Sequence, residues 1–94
     1  MTIELSLILF TAPKCAPCIP AKGALQMLID AGLVIGSIVD VTEQPALAAQ
    51  YDVQAVPTLA VKHGRELTGV YAGTKVSEYL TTLERELTDW AAGR

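Results

Sequence analysis

Cys15 and Cys18 follow directly on an apolar run and a short proline loop, and that placement limits the architectures open to the chain. They are the only two cysteines among 94 residues. Ile3–Phe10 is nearly all apolar, without the alternation of a strand wetted on one face, and predicts an interior strand covered on both sides. Thr11-Ala12-Pro13-Lys14 reads as a loop, because Pro13 has no N–H to donate and pushes Ala12 out of the helical region. A helix is expected from about Cys15 to Ala31, with Ala24, Leu25, Leu28 and Ile29 as its apolar stripe and Gly32 as its stop. Pro20 and Gly23 weaken its first half, which leaves the start between Ala16 and Pro20. The cysteine pair therefore stands at a strand-to-helix junction.

The rest of the chain completes a small sheet. Leu33–Val41 is a second strand, rich in the β-branched residues Val34, Ile35, Ile38, Val39 and Val41. Thr42-Glu43-Gln44-Pro45 opens a short helix through about Tyr51, with its proline near the first turn, where it is tolerated. Tyr51 is expected to pack beneath that helix. Val56–Lys62 is a third strand, His63-Gly64-Arg65-Glu66 a hairpin loop, and Glu66–Tyr71 the fourth strand. Gly73-Thr74 starts the last helix, with Thr74 as candidate N-cap. Val76, Tyr79, Leu80, Leu83, Leu87 and Trp90 recur at three- and four-residue steps, which assigns all six to the core. The order β-α-β-α-β-β-α begins with a βαβ unit, hence two parallel strands and a right-handed crossover. The expected class is α/β: one domain over residues 1–94, a four-stranded mixed sheet with helices on both faces.

Composition removes several classes of function. At 51% hydrophobic and 18% charged, the chain is no disordered tail. Seven Lys and Arg against ten Asp and Glu leave a net charge of −3, which repels phosphate backbones, so nucleic acid is not an expected partner. The first charge is Glu4 and the first basic residue is Lys14, unlike the basic start of a signal peptide. The run Leu5–Phe10 falls far short of the roughly 20 residues that cross a bilayer. The expectation is a cytoplasmic monomer that keeps away from membranes. In a reducing compartment a C-x-x-C reads as redox-active or metal-binding rather than as a permanent staple.

At a helix N-terminus, unpaired N–H groups and the positive end of the dipole favour an anion. Cys15, placed there, has its thiol pKa drawn below the free value of about 8.5. Lys14 precedes it and adds positive charge, a candidate tuning residue, although it also reads as a plain solvated loop lysine. Cys18 lies almost a turn further, positioned to attack a mixed disulfide formed at Cys15 and release the reduced substrate. Cys15 is thus the expected nucleophile and Cys18 the resolving thiol. Between them Ala16 and Pro17 carry no charge, which points to a mild, reducing couple. Pro57 stands at the mouth of an apolar strand, where it either begins the strand in trans or sits behind a cis bond.

Several segments together resemble a thioredoxin-fold dithiol protein: Phe10-Thr11-Ala12-Pro13-Lys14-Cys15-Ala16-Pro17-Cys18, then Val39-Asp40-Val41, Leu47–Thr58 with Val56-Pro57-Thr58 at its end, and Gly69-Val70-Tyr71-Ala72-Gly73-Thr74. The resemblance implies a thioredoxin fold with Pro57 in cis beside the cysteine pair. It also implies a substrate segment pairing with the Val56 backbone like an added strand. Ala16, Pro17, Val56, Pro57, Ala72 and Gly73 would line the docking groove. It implies further a redox-active Cys15–Cys18 disulfide with no bound cofactor, disulfide-containing protein substrates, and an electron donor of the thioredoxin-reductase type or glutathione. The chain departs from the family at three positions. Lys14 stands where a Trp is usual, Leu9 where a buried acid is usual, and Ile38 where a lysine near that acid is common. The expected layout is a minimal one, without the extra N-terminal strand and helix of full-length thioredoxins, as in glutaredoxins and small thioredoxins.

Two alternatives stay open on the sequence. A glutaredoxin would hold glutathione through a Gly-Gly-x-Asp-type helix start, and the corresponding Ala72-Gly73-Thr74-Lys75 has neither the second Gly nor the Asp. A zinc or iron–sulfur site needs four ligands, and only His63, in a predicted hairpin loop, is available beyond the two cysteines. No metal is therefore expected within one chain. A cluster bridged by Cys15 and Cys18 of two chains would make the protein a binding or carrier module instead.

Overall fold

The computed structural model describes residues 5–93. Its elements are β1 (Leu5–Thr11), α1 (Cys18–Asp30), β2 (Ile35–Asp40), α2 (Pro45–Gln50), β3 (Thr58–His63), β4 (Glu66–Ala72) and α3 (Thr74–Ala91). The expected start of the first strand at Ile3 lies outside the described residues. The four strands form one sheet in the order β2-β1-β3-β4. β1 is parallel to β2, with Phe10 opposite Val39, and antiparallel to β3, with Phe10 opposite Thr58. β3 and β4 form the hairpin, turning at Gly64-Arg65.

The unbroken apolar character of β1 follows from this interior place. Leu5, Leu7 and Leu9 join Leu25 and Leu28 of α1, Leu59 and Val61 of β3, and Val76, Leu80, Leu83 and Leu87 of α3 in one buried cluster. On the other face Phe10 packs with Val39, Ala60 and Ala48 of α2, and the Phe10 and Tyr51 rings lie 5.5 Å apart. Each fully buried Leu or Phe contributes about 1.5–3 kcal/mol of transfer free energy.

The helix ends explain several boundaries. α1 begins at Cys18 rather than Cys15, with Pro17 as its N-cap. Before it, the Cys18 N–H donates to the Cys15 carbonyl at 3.2 Å and the Ile19 N–H to the Ala16 carbonyl at 3.1 Å, so residues 15–17 form a tight turn leading into the helix. Pro20 falls at the third helical position, among the four N–H groups that have no intrahelical acceptor, so its missing donor costs nothing there. At the other end Gly32, with φ +73°, donates to Ile29 O, and Leu33 donates to Leu28 O. That is a Schellman stop, which needs a left-handed residue at this point.

Four expectations are corrected. Trp90 is 53% exposed and outside the core. α3 has 18 residues, about 27 Å of helix, while the strands have six or seven, about 20–23 Å, so its last turn overshoots the sheet after Leu87. Thr74 is the first helical residue, and the N-cap is Gly73 at φ +64°, a conformation that glycine adopts without a Cβ penalty. The second strand is shorter than Leu33–Val41. It runs along a sheet edge, which leaves Ile35 66% and Ile38 39% exposed. β3 begins at Thr58, one residue after Pro57, which has no N–H for the ladder.

Candidate active site

The sheet collects the sequence-derived candidates at one end. β1 and β2 finish there at Thr11 and Asp40, β3 starts there at Thr58, and β4 finishes there at Ala72. The cysteine loop leaves β1 at this end and Pro57 enters β3 at it. Cys15 and Cys18 form a disulfide across a Cα–Cα distance of 5.3 Å. The two cysteines are not equally buried. Cys15 is half-buried at the turn, and Cys18, the first residue of α1, is 2% exposed. Ala16 and Pro17 between them are exposed.

The other wall is held by main-chain bonds. The Val56–Pro57 peptide is cis and the Pro57 side chain is fully buried, with Val56 half-buried before it. Thr58 Oγ1 donates to Ala55 O at 2.6 Å, tightening that loop. The Gly73 N–H donates to Pro57 O at 2.9 Å, and Ala72 lies opposite Thr58 in the sheet. Ala72 and Gly73, both exposed, are thereby tied to the proline. A small pocket of about 190 Å³ beside Val56 is lined by Val41, Val53, Gln54 and Ala55.

Lys14 is exposed in the left-handed region, φ +63°, which costs a residue with a Cβ about 1–2 kcal/mol. Leu9 is fully buried within the large apolar cluster, so apolar packing fills the position where thioredoxin-fold proteins usually carry a buried acid. At the end of β2, Asp40 Oδ1 accepts from the Thr42 hydroxyl at 2.6 Å and from the Thr42 N–H at 2.8 Å. These bonds favour the ionised form and hold the Asp40 carboxyl below its ordinary range. His63 lies opposite Leu5, at the far end of the sheet from the cysteines. Among the described residues, no group of three or more His, Cys, Asp or Glu is placed to hold a metal ion, and no helix is long and apolar enough to cross a membrane.

Two neighbours of the pair escaped the sequence reading. Ile19, 70% exposed, and Lys22 line a cavity of about 360 Å³ together with Ala12, Pro13, Lys14, Cys15, Ala16 and Cys18. The signal for Lys22 was its spacing: four residues after Cys18, it stands one turn along on the same helix face.

A C-x-x-C disulfide and a cis-proline loop thus share one end of the sheet. The family model for thioredoxin matches residues 2–85, and the chain belongs to the thioredoxin family. It is 33% identical over 70 residues to a thioredoxin of Streptomyces clavuligerus, an alignment covering 73% of this chain. The chain spans 65% of the length of that curated relative. Among solved structures it resembles mitochondrial thioredoxin 3 of Saccharomyces cerevisiae in its oxidized form. The TM-score is 0.73 at 31% identity, with 92% of this chain and 78% of that one covered. A chain from a structural study of thiol resolution in yeast mitochondrial 1-Cys peroxiredoxin via glutathione/thioredoxin systems gives a TM-score of 0.73 at 30% identity, with the same coverage. Thioredoxins act through their own redox-active disulfide without a bound cofactor.

Proposed function

We propose that this chain is a thiol–disulfide oxidoreductase that reduces protein disulfides through Cys15 and Cys18. The observation that carries the reading is the unequal burial of the two cysteines, Cys15 half-buried and Cys18 enclosed at the start of α1. In the reduced protein the Cys15 thiolate attacks one sulfur of a substrate disulfide. The S–S bond breaks, the departing substrate sulfur takes up a proton, and a mixed disulfide joins Cys15 to the other substrate sulfur. Cys18 then loses its proton and attacks the Cys15 sulfur, which frees the second substrate thiol. The Cys15–Cys18 disulfide forms, two electrons have passed to the substrate, and a reductase of the thioredoxin-reductase type or a low-molecular-weight thiol restores the dithiol.

In this reading the substrate segment lies along Val56 and Pro57, with Ala16, Pro17, Ala72 and Gly73 completing the groove. The uncharged Ala16-Pro17 dipeptide favours a reducing couple. The protein works as a monomer in the reducing cytoplasm. The glutaredoxin alternative is weaker, because the start of α3, Ala72-Gly73-Thr74-Lys75, offers one glycine and no acid.

Cys18→Ser is expected to accumulate mixed disulfides through Cys15, identified by mass spectrometry after acid quenching. Trapping by Cys15→Ser instead would reverse the two roles. Insulin reduction driven by NADPH and a thioredoxin reductase is expected to exceed that driven by glutathione. Activity with glutathione alone would move the chain to the glutaredoxin class, and an anaerobic sample with visible charge-transfer bands and neither activity would favour the bridged cluster.

A further inference from the structure

We infer that the cavity beside the cysteine pair selects substrates whose disulfide is flanked by carboxylates, with Lys14 and Lys22 as the specificity-determining residues. This deepens the proposed disulfide reduction and rests on it. The cavity, about 360 Å³, is lined by Cys15 and Cys18 themselves, with Lys14 from the loop and Lys22 from α1. Neither Val56 nor Pro57 lines it, so its walls come from the cysteine loop and α1 alone.

The charge there runs against that of the whole molecule. The chain carries a net −3, yet Lys14 and Lys22 are the only charged residues between Glu4 and Asp30, so no acid lines the cavity. Asp40, which the Thr42 hydroxyl and N–H hold in its ionised form, feels the charge of Lys22 but is not among the residues that line the cavity. Lys14 holds its place at φ +63°, a backbone setting that glycine would occupy without cost. A glycine there would relieve the backbone, and the chain carries a lysine directly before Cys15 all the same. Two lysines lining the same cavity as Cys15 attract an Asp or Glu side chain placed next to a substrate cysteine. They repel a Lys or Arg in the same place.

The test uses the full chain, reduced with dithiothreitol and desalted, in single turnover against three peptide disulfides. These are identical except for Glu, Gln or Lys on either side of the cysteine. The acidic peptide is expected to react about five- to tenfold faster than the neutral one at low salt, and the basic one more slowly than the neutral one. The ratio should approach one in 1 M salt. Lys14→Gln with Lys22→Gln should flatten the order among the three. Because a general effect of Lys14 on the Cys15 thiol would scale all three rates together, only their ratio reports recognition. Lys14→Gly should lose selectivity while gaining thermal stability, a pairing that a merely structural lysine would not produce. Equal rates for all three peptides would overturn the inference and leave the dithiol mechanism standing. Failure to cleave any of them would overturn both.

Discussion

On one face of the sheet, α1 and α3 bury Leu5, Leu7, Leu9, Leu59 and Val61 beneath two long helices. On the other, the six-residue α2 covers Phe10, Val39 and Ala60 with little more than Ala48 and its partly buried neighbours Leu47 and Tyr51. The cysteine turn grows out of the first face, at the start of α1. The loop to Pro57 comes off the second, just after α2. The candidate site therefore lies where a heavily packed layer meets a thin one. The packed layer fixes Cys18 as a buried helix start. The thin layer supplies a backbone loop tied down by hydrogen bonds rather than by apolar bulk.

The largest expected effect tests that contrast directly. Leu25→Ala, in the large cluster, should cost about 3 kcal/mol by denaturant unfolding. Ala48→Gly, in α2, should cost about 1 kcal/mol. Equal losses would mean that the two faces share stability more evenly than their packing implies. Trp90→Ser comes next and should change stability by less than about 0.5 kcal/mol, because the overshooting turn of α3 belongs to neither face. The smallest effect concerns the rim of the thin layer. Asp40 should titrate by NMR below the ordinary carboxylate range, and Thr42→Val should move it back upward. Since its folded pKa is lowered, its contribution is complete above the unfolded pKa and is lost as pH falls through the folded one. A wild-type Asp40 that titrates in the ordinary range would remove that contribution.

Local pattern carried far for elements with strong periodicity. The apolar run of β1 announced an interior strand, and it pairs on both sides. Gly32 announced the end of α1, because only a left-handed residue closes a Schellman stop. Trp90 matched the spacing of α3 as well as Leu87 does, yet periodicity marks a helix face without saying how far the sheet reaches beneath it. Ile35 and Ile38 have the composition of a covered strand, but whether a strand lies at an edge depends on pairing order. Lys22 had only its four-residue spacing from Cys18 to mark it, and that spacing gains meaning as a site signal once α1 is set against the cysteine turn.

The sequence by itself determined the order of the elements, the interior strand, and the C-x-x-C at a strand-to-helix junction, because these depend on side-chain pattern and backbone restriction within a few residues. Only the tertiary structure decided that Cys18 is enclosed while Cys15 is half-buried, that Pro57 and Gly73 are joined by a hydrogen bond, and that two lysines border the reactive pair. Those facts arise from segments distant in the chain arriving at one end of the sheet, and no local rule of propensity contains that meeting.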